Sequence, residues 1–548
     1  MAIREPVVDI RELRIRFETD AGSVTAVRDA ELSLVPGEVL AIVGESGSGK
    51  TVTARSILRL LPETATVTGA VILDGENVAT IDKHRLRELR GTKAAMIFQE
   101  PSTALNPVYT VGWQIAEGLR AHGDYSKKTA RARAIEMLRR VGIPEPERRV
   151  DDYPHQFSGG QKQRIVIAMA LVLNPAVIIA DEPTTALDVT VQAEILELLR
   201  RIRDEFGTAI VLITHNMGVV ADLADRVAVM HHGVVVEAAD VRELFAAPKD
   251  EYTKTLLAAV PRVQLTGAEP MPETAAPVVT AEQLVIEYPG RFRQPAFKAV
   301  NEVDFQIRQG EVLGLVGESG SGKTTIGRAI ARLTKATGGR LDVLGVDVVT
   351  APDRQFQPLR RRIGFVFQDP ATSFNPLTTI GKAIAEPIFV HGTAAERAGA
   401  RERVEDLLEA VRLPRGFADR YPHELSGGQR QRASLARALI LGPDLVIADE
   451  PTSALGVSVQ ADVLELFKGL QQQFGFACLF ITHDLAVVDE VADRVIVLHR
   501  GRVVEEGPSD QVLGAPREEY TRRLIASLPV PDPVEQAARR AARADAAV

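Results

Sequence analysis

A glycine-rich pattern of eight residues occurs twice in this chain, and it constrains the fold more than any other feature. The copies occupy residues 44–51 and 317–324, and each matches G-x-x-x-x-G-K-[ST]. Each follows a short apolar run and precedes several residues without glycine or proline, so a strand, a loop and a helix are expected in that order. The repeat therefore predicts two α/β domains, each with a phosphate-binding loop.

In such a loop, the glycines let consecutive backbone N–H groups point at phosphate oxygens, and the helix that follows adds its positive dipole end. We expect the lysine to bring a charge to the β- and γ-phosphates and the threonine to offer a hydroxyl to Mg²⁺. A plain glycine-rich turn is the alternative for one copy alone, and two copies in register disfavour it. The predicted nucleotide-contacting residues are Gly44, Ser46, Gly47, Gly49, Lys50, Thr51, Gly317, Ser319, Gly320, Gly322, Lys323 and Thr324.

The length of 548 residues also indicates two domains, because single hydrophobic cores stop growing near roughly 250–300 residues. We predict a first domain with a C-terminal extension at residues 1–260 and a proline-rich linker at 261–280. A second domain with its own extension follows at 281–530, and a tail at 531–548. We interpret the tail as a solvated or frayed helix, with a binding arm as the alternative.

Composition excludes several classes of function. The net charge of −8 argues against a surface that wraps nucleic acid. The single cysteine, Cys478, allows neither an internal disulfide nor a multi-cysteine zinc or iron–sulfur site. No window approaches the ~18 apolar residues of a membrane span, and the N-terminus lacks the apolar core of a signal peptide. We therefore expect a cytoplasmic chain that would need other subunits to act at a membrane.

Two apolar runs end in the pairs Asp181-Glu182 and Asp449-Glu450. A buried parallel strand would present these carboxylates at its C-terminal edge, where ligands of such sheets bind. The aspartate suits Mg²⁺, which prefers oxygen ligands. The glutamate can orient and deprotonate an attacking water. Asp-Glu pairs are common, but here each pair follows a predicted phosphate loop.

A histidine follows a further apolar run in each half, at His215 and His483. A neutral histidine at such a strand end can hydrogen-bond both the γ-phosphate and the water. His231 and His232 lack this context, and we interpret them as surface residues.

A fourth motif begins a long alanine-rich helical stretch in each half. Serine followed by two glycines at a helix N-terminus makes an anion site. Each half thus has two phosphate cradles, which would be explained if the second served the nucleotide held by the other half. The motif residues are Ser158, Gly159, Gly160 and Gln161 in the first half and Ser426, Gly427, Gly428 and Gln429 in the second.

With this motif, the chain resembles two nucleotide-binding domains of ATP-binding-cassette (ABC) transporters fused head to tail, over nearly all of residues 7–530. The Ser-Gly-Gly-Gln segments match the family signature. The resemblance implies an α/β P-loop NTPase fold in each half, with a RecA-like core, a helical subdomain and a small antiparallel β subdomain. It also matches Gln99 and Gln368 to the Q-loop glutamine, His215 and His483 to the switch histidine, and Phe17 and Tyr288 to the adenine-stacking aromatic residue.

The family fold implies a head-to-tail sandwich with two ATP molecules and Mg²⁺ at the interface between the halves. It implies catalytic roles for Glu182, Glu450, His215, His483, Gln99 and Gln368, and metal ligation by Thr51, Gln99, Asp181, Thr324, Gln368 and Asp449. One site would combine the Lys50 loop with Ser426, Gly427 and Gly428. The other would combine the Lys323 loop with Ser158, Gly159 and Gly160.

Further segments are similar to the ATPase subunits of peptide and nickel importers. Each cassette is followed by a proline and then a Tyr-Thr pair, at Tyr252 and Tyr520. This resemblance implies two transmembrane permease subunits, an extracytoplasmic substrate-binding protein, a peripheral position at the cytoplasmic face of the membrane, and no nucleic acid partner. The subfamily commonly has a histidine where this chain has Glu251 and Glu519. Some relatives bind an iron–sulfur cluster through cysteines there, and we expect none here.

Two points stay open at the level of sequence. A soluble tandem ABC protein of translation or DNA repair is the alternative function, disfavoured by the short proline-rich linker and the lack of zinc-binding cysteines. Dipeptides or oligopeptides are the leading substrates, with nickel or another small solute as the alternative.

The loop after the catalytic glutamate differs between the halves. It contains Asp188 in the first half and Gly456 at the matching position of the second. We hypothesise that the two ATP sites are both competent but unequal. A tolerated substitution without kinetic consequence is the alternative.

Overall fold

The computed structural model describes residues 5–19, 22–185, 187–263, 265, 275–290, 296–453 and 455–546. The chain divides into two compact units. The first contains residues 1–260, 456–458 and 529–548, and the second contains residues 261–455 and 459–528. Half of the predicted linker, residues 264 and 266–274, lies outside the described residues.

The first half alternates strands and helices. Its strands are β1 (Val8–Thr19), β2 (Gly22–Leu34), β3 (Val39–Val43), β4 (Ala65–Leu73), β5 (Glu76–Asn77), β6 (Ala94–Ile97), β7 (Val177–Asp181), β8 (Ala209–Ile213), β9 (Arg226–His231) and β10 (Val234–Asp240). Its helices are α1 (Lys50–Ser56), α2 (Lys83–Thr92), α3 (Pro101–Ala104), α4 (Val111–His122), α5 (Lys127–Arg140), α6 (Pro146–Arg149), α7 (Gly159–Leu171), α8 (Val189–Phe206), α9 (Met217–Leu223), α10 (Val241–Ala246) and α11 (Glu251–Ala258).

The second half repeats this order. Its strands are β11 (Pro277–Tyr288), β12 (Phe297–Arg308), β13 (Val312–Val316), β14 (Gly338–Val343), β15 (Val346–Asp347), β16 (Ile363–Val366), β17 (Leu445–Asp449), β18 (Ala477–Ile481), β19 (Arg494–His499) and β20 (Arg502–Pro508). Its helices are α12 (Lys323–Ile330), α13 (Asp353–Phe356), α14 (Pro370–Ser373), α15 (Ile380–His391), α16 (Ala394–Ala398), α17 (Ala400–Ala410), α18 (Gly427–Leu439), α19 (Val457–Phe474), α20 (Leu485–Val491), α21 (Ser509–Gly514), α22 (Glu519–Ala526) and α23 (Pro533–Ala546).

The strand that precedes each phosphate loop is central in a parallel sheet. In the first unit, the strand order is β5-β4-β1-β2-β10-β9-β3-β8-β7-β6. Strands β6, β7, β8, β3 and β9 pair in parallel, whereas β1, β2, β4 and β5 form an antiparallel part. Every residue of β3, β7 and β8 is buried, as expected for parallel strands covered on both faces.

The second unit keeps this plan in two sheets. A sheet with the order β16-β17-β18-β13-β19-β20 carries the second phosphate loop after β13, and a sheet with the order β12-β11-β14-β15 is antiparallel. Helices α3–α6 and α14–α17 form a helical part between the edge strand and the signature helix of each half. The predicted fold class is therefore confirmed, with a parallel core, a helical subdomain and an antiparallel β subdomain.

The tail is a helix that packs within the first unit. In α23, Gln536 is almost fully buried, and Arg540 Nη1 donates to the backbone oxygen of Asp222 at 3.0 Å and to its carboxylate at 3.2 Å. The expectation of a solvated tail is wrong for this face of the helix, because a buried carboxylate on α9 provides a partner for its arginine. No helix in the described ranges is both long enough and apolar enough to span a membrane.

Candidate active sites

The first phosphate loop packs directly against the end of β9. Gly44 has a φ of 142°, and a Cβ atom there would lie 2.1 Å from the carbonyl oxygen of Met230. Gly49 has a φ of 102° and precedes the first residue of α1, and a Cβ atom there would lie 2.7 Å from the carbonyl oxygen of Ala26. Both positions require glycine, because left-handed backbone and close approach of another main chain exclude larger residues.

The loop lysine is buried at the centre of this turn. Lys50 Nζ donates to the carbonyl oxygens of Gly44 and Glu45, each at 2.7 Å. Burial lowers the pKa of Lys50, although the nearby carboxylates of Glu182 and Asp181 partly offset this effect. The ammonium group thus lies inside the loop, where it can meet a phosphate.

The carboxylate after β7 meets the loop threonine. Thr51 Oγ1 donates to Asp181 Oδ1 at 3.0 Å, and Asp181 is almost fully buried. Its second oxygen is buried without a hydrogen bond to the described residues, and Arg55 lies 3.7 Å from it. Burial raises the pKa of Asp181, although the hydrogen bond from Thr51 and the charge of Arg55 act against that rise.

The Thr51 hydroxyl and the Asp181 carboxylate together fit Mg²⁺. This ion binds through one or two carboxylates and completes its shell with phosphate and water oxygens. Among the described residues, no cluster of three or more His, Cys, Asp or Glu side chains is arranged to hold a metal by itself.

Glu182, the predicted catalytic glutamate of the first unit, meets three hydrogen-bonding groups. Gln99 Nε2 donates to Glu182 Oε2 at 3.1 Å, and Thr185 Oγ1 donates to the same oxygen at 2.8 Å. His215 Nδ1 lies 3.1 Å from Glu182 Oε1. Glu182 has a φ of 50°, an unusual backbone conformation for a residue with a side chain and one that clusters at functional sites.

These contacts determine the charge of the carboxylate. Burial acts to raise the pKa of Glu182, but the hydrogen bond and charge of His215 and the hydrogen bond from Thr185 outweigh it, and the pKa lies below its usual value. The side chain is therefore ionised at neutral pH. An ionised, positioned carboxylate is what a group that accepts a proton from water requires.

The second unit repeats the loop and its lysine. Lys323 Nζ donates to the carbonyl oxygens of Gly317 and Glu318, at 2.7 and 2.9 Å. Gly317 has a φ of 147°, and a Cβ atom there would lie 2.1 Å from the carbonyl oxygen of Leu498. The two phosphate loops therefore have the same internal geometry.

The carboxylates of the second unit are also arranged alike. Thr324 Oγ1 donates to Asp449 Oδ1 at 2.9 Å, Gln368 Nε2 donates to Glu450 Oε2 at 3.1 Å, and His483 Nδ1 lies 3.2 Å from Glu450 Oε1. Burial acts to raise the pKa of Glu450, and the hydrogen bond and charge of His483 outweigh it, so the pKa is lowered. Burial acts to lower the pKa of His483, but its bond with Glu450 raises it.

One contact differs between the two units. Thr185 donates to the carboxylate of Glu182, whereas Ser453 Oγ donates to the backbone oxygen of Glu450 at 3.1 Å. The hydroxyl of Thr185 therefore stabilises the charged carboxylate of the first unit, whereas the hydroxyl of Ser453 does not bond to the carboxylate of the second.

The signature serines cap the helices that follow them. Gln161 N donates to Ser158 Oγ at 3.3 Å, and Ser158 N donates to Gln161 Oε1 at 3.2 Å, which closes a capping box at the start of α7. Ser426 and Gln429 form the same box before α18. A Cβ atom on Gly160 would lie 2.5 Å from the side chain of Val191, so this turn also requires glycine.

The structure brings most, but not all, of the predicted site residues together. Within each unit, the lysine and the threonine of the loop lie with the aspartate, and the glutamate lies with the Q-loop glutamine and the histidine. The signature residues occupy a separate turn, in which the two serines are exposed and Gly428 is buried. Phe17 is partly buried on β1, and Tyr288 is exposed at the end of β11. Their contact with adenine stays a prediction.

Sequence reasoning missed one residue beside the loop. Glu45 N donates to Tyr252 Oη at 3.0 Å, and the Tyr252 ring stacks on His231 with centroids 3.8 Å apart. The interpretation of His231 as a surface residue holds only in part, because Tyr252 stacks on its ring and leaves it partly buried, whereas His232 is exposed as expected. The signal was present, since the same tyrosine recurs after the second cassette as Tyr520.

Comparison with known proteins agrees with this geometry. A model of the family described as ABC transporter matches residues 27–185 and 300–453, which together exceed half of the chain. The chain belongs to the ABC transporter family. A second model, described as the C-terminal region of oligopeptide/dipeptide transporters, matches residues 236–281 and 504–547 of this ABC protein. The fused-cassette prediction is thus confirmed, and the chain is an ATPase of this family.

Curated relatives align with the ABC protein over nearly its whole length. The glutathione import ATP-binding protein GsiA of Escherichia coli (strain K12) is 45% identical over 98% of this chain and 92% of that protein. The peptidoglycan transport ATP-binding protein YejF of Agrobacterium fabrum is 45% identical over 95% of this chain and 96% of that protein. A solved dimer of the ATP-binding cassette MJ0796, bound to ADP and Pi, is 32% identical over 42% of this chain and 98% of that chain, with a TM-score of 0.39.

Proposed function

We propose that this ABC ATPase energises the import of peptides through separate transmembrane permease subunits. The observation that carries the proposal is the combination, in both halves, of a cassette with the C-terminal region of oligopeptide/dipeptide transporters. The names of the two relatives add support, since glutathione is a peptide and peptidoglycan contains peptides. Nickel or another small solute stays the alternative substrate.

ATP hydrolysis requires a group that accepts a proton from water, and Glu182 and Glu450 fit this role. Each is ionised, and each is held by a glutamine and a histidine. His215 and His483 orient the carboxylate, because each contacts the oxygen opposite the one bound by the glutamine. We infer that loss of either glutamate removes a general base, an effect typically worth 10²–10⁴-fold in rate.

The lysine and threonine of each loop would bind the nucleotide together with Mg²⁺. When bound, the cation would neutralise charge on the phosphates. Thr51 and Asp181 would hold it in the first unit, as Thr324 and Asp449 would in the second. Gln99 and Gln368 stay predicted ligands through their amide oxygens. The capping-box turns at Ser158 and Ser426 would contribute further phosphate contacts.

We further propose a peripheral position at the cytoplasmic face of the membrane, with two permease subunits and an extracytoplasmic substrate-binding protein as partners. Support comes from the names of the two relatives, which describe ATP-binding proteins of import or transport. The soluble translation or repair function is less supported, because the oligopeptide-transporter region follows both cassettes.

Purification of the tagged full chain from detergent-solubilised membranes tests the proposal. We expect two integral membrane proteins to co-purify, and the ATPase activity of the complex to rise when a peptide-loaded binding protein is added. The Glu182→Gln/Glu450→Gln double variant should retain the same partners without turnover. Co-purification of ribosomes or DNA-repair proteins, with no membrane protein, would contradict the proposal.

A further inference from the structure

The first residue after Gly44 is held by the C-terminal extension of its own cassette. The backbone N–H of Glu45 donates to Tyr252 Oη at 3.0 Å, while the carbonyl oxygen of Glu45 accepts from Lys50 Nζ at 2.7 Å. Both peptide groups of Glu45 are therefore engaged, one by the loop lysine and one by a side chain from α11.

The tyrosine is fixed on its other side by an aromatic partner. Its ring stacks on His231, with an angle of 9° between the planes, and Tyr252 is half-buried. His231 follows Met230, whose carbonyl oxygen lies against Gly44. Burial raises the pKa of Tyr252, so the hydroxyl is neutral at physiological pH. The end of β9 and the tyrosine thus hold the loop together.

The helix that carries the tyrosine is tied to the cassette core by a carboxylate. Glu237 on β10 accepts from the backbone N–H groups of Lys249 and Asp250, at 2.9 and 3.1 Å. The Asp250 side chain then accepts from the backbone N–H of Tyr252 at 2.9 Å and caps α11. The start of α11 is therefore held by hydrogen bonds, and these fix the position of the Tyr252 hydroxyl beside the phosphate loop.

The contact between tyrosine and phosphate loop recurs in the second unit, although Glu518, which matches Asp250, makes no side-chain cap on its helix. Glu318 N donates to Tyr520 Oη at 3.3 Å, and the Tyr520 ring lies 4.0 Å from His499 with the planes tilted by 41°. Glu505 takes the place of Glu237 and accepts from the N–H groups of Arg517 and Glu518. The longer hydrogen bond and the tilted ring make this contact the weaker of the two.

We propose that Tyr252 and Tyr520 are positioning residues that hold the phosphate loop in its nucleotide-binding shape, so that each C-terminal extension sets the ATP affinity of its own cassette. A loop ordered before binding loses less conformational freedom when the nucleotide arrives. Bound phosphates order the loop themselves, so the hydroxyl should affect KM more than kcat. This inference rests on the proposed nucleotide sites.

The test uses the full chain with one site silenced, so that the other is measured alone. In the Lys323→Ala parent, Tyr252→Phe removes the hydroxyl and keeps the ring on His231. We expect its dissociation constant for Mg-ATP to rise two- to tenfold, the usual range for one lost hydrogen bond, with kcat within twofold and the Tm within about 1 °C.

Hydrogen exchange of the peptide that contains Glu45 should accelerate. Tyr125→Phe, which alters an exposed tyrosine, should match the parent.

Tyr520→Phe in the Lys50→Ala parent should give the same effect with a smaller fold-change. An affinity within 1.5-fold of the parent, or a loss of affinity that comes with a fall in Tm or an equal fall in kcat, would overturn the inference. If the Lys323→Ala parent itself binds no nucleotide, the proposed site is refuted together with the inference. A parent that binds while Tyr252→Phe has no effect refutes the inference alone.

Discussion

Loss of the Thr185 hydroxyl should change the pH dependence of the first ATP site. Loss of the matching Ser453 hydroxyl should leave that of the second site unchanged. Thr185→Val is isosteric and removes the donor that lies 2.8 Å from Glu182 Oε2. The matching Ser453→Ala removes a hydroxyl that donates to the backbone oxygen of Glu450 instead. The two substitutions therefore test whether the halves differ in the way the structure shows.

The magnitude follows from the charge of the acceptor. A hydrogen bond to a charged group contributes about 1.5–3 kcal/mol, and one pH unit corresponds to about 1.4 kcal/mol. The bond from Thr185 favours the charged carboxylate, so its loss raises the pKa of Glu182 and protonates the base at higher pH. After allowance for water entering the gap, we expect the acid limb of the rate profile to move up by about one pH unit.

The assay is steady-state ATP turnover between about pH 4 and pH 8, in the Glu450→Gln background for Thr185→Val and in the Glu182→Gln background for Ser453→Ala. The second variant should keep the acid limb of its parent. Coincident profiles for Thr185→Val and its parent, or equal shifts for both hydroxyl variants, would refute the reasoning. A difference between the Glu182→Gln and Glu450→Gln backgrounds themselves would support unequal sites, and indistinguishable losses would remove that hypothesis.

Three further outcomes are expected. Lys50→Ala should reduce the ATP bound per chain from two to one in equilibrium dialysis, because a buried ammonium is lost from one loop only. Gly44→Ala should abolish binding at the same site in that assay, since its Cβ would meet the Met230 carbonyl. Arg494→Ala should lower the free energy of unfolding by about 3–5 kcal/mol in a denaturant titration, because the fully buried carboxylate of Glu311 loses its charged partner and keeps the backbone N–H bond from Arg308.

The elements that carry the chemistry were predictable from sequence because each depends on local signals. A short apolar run, a glycine pattern and a lysine specify the strand, turn and helix around Lys50. The Asp181-Glu182 pair was assigned to a strand end for the same reason. The duplicated pattern also predicted that both halves would share one geometry, and the structure shows this at Lys323.

The features that the sequence did not predict depend on contacts between residues that are distant in sequence. Tyr252 meets Glu45 across 207 residues, and its recurrence as Tyr520 marks the tyrosine without indicating which residue it contacts. The burial of Gln536 in the tail helix depends in the same way on a surface formed elsewhere in the first unit. The different bonds of Thr185 and Ser453 arise from side-chain rotamers, which the similar chemistry of the two residues does not determine.

The most direct test of the central claim is ATP-driven uptake of a labelled peptide into proteoliposomes that contain this chain and its co-purified membrane subunits, with the binding protein supplied on the opposite side. We predict uptake that requires hydrolysable ATP and that disappears in the Glu182→Gln/Glu450→Gln double variant. Robust ATP turnover without peptide uptake, and without stimulation by any peptide-loaded binding protein, would contradict the account.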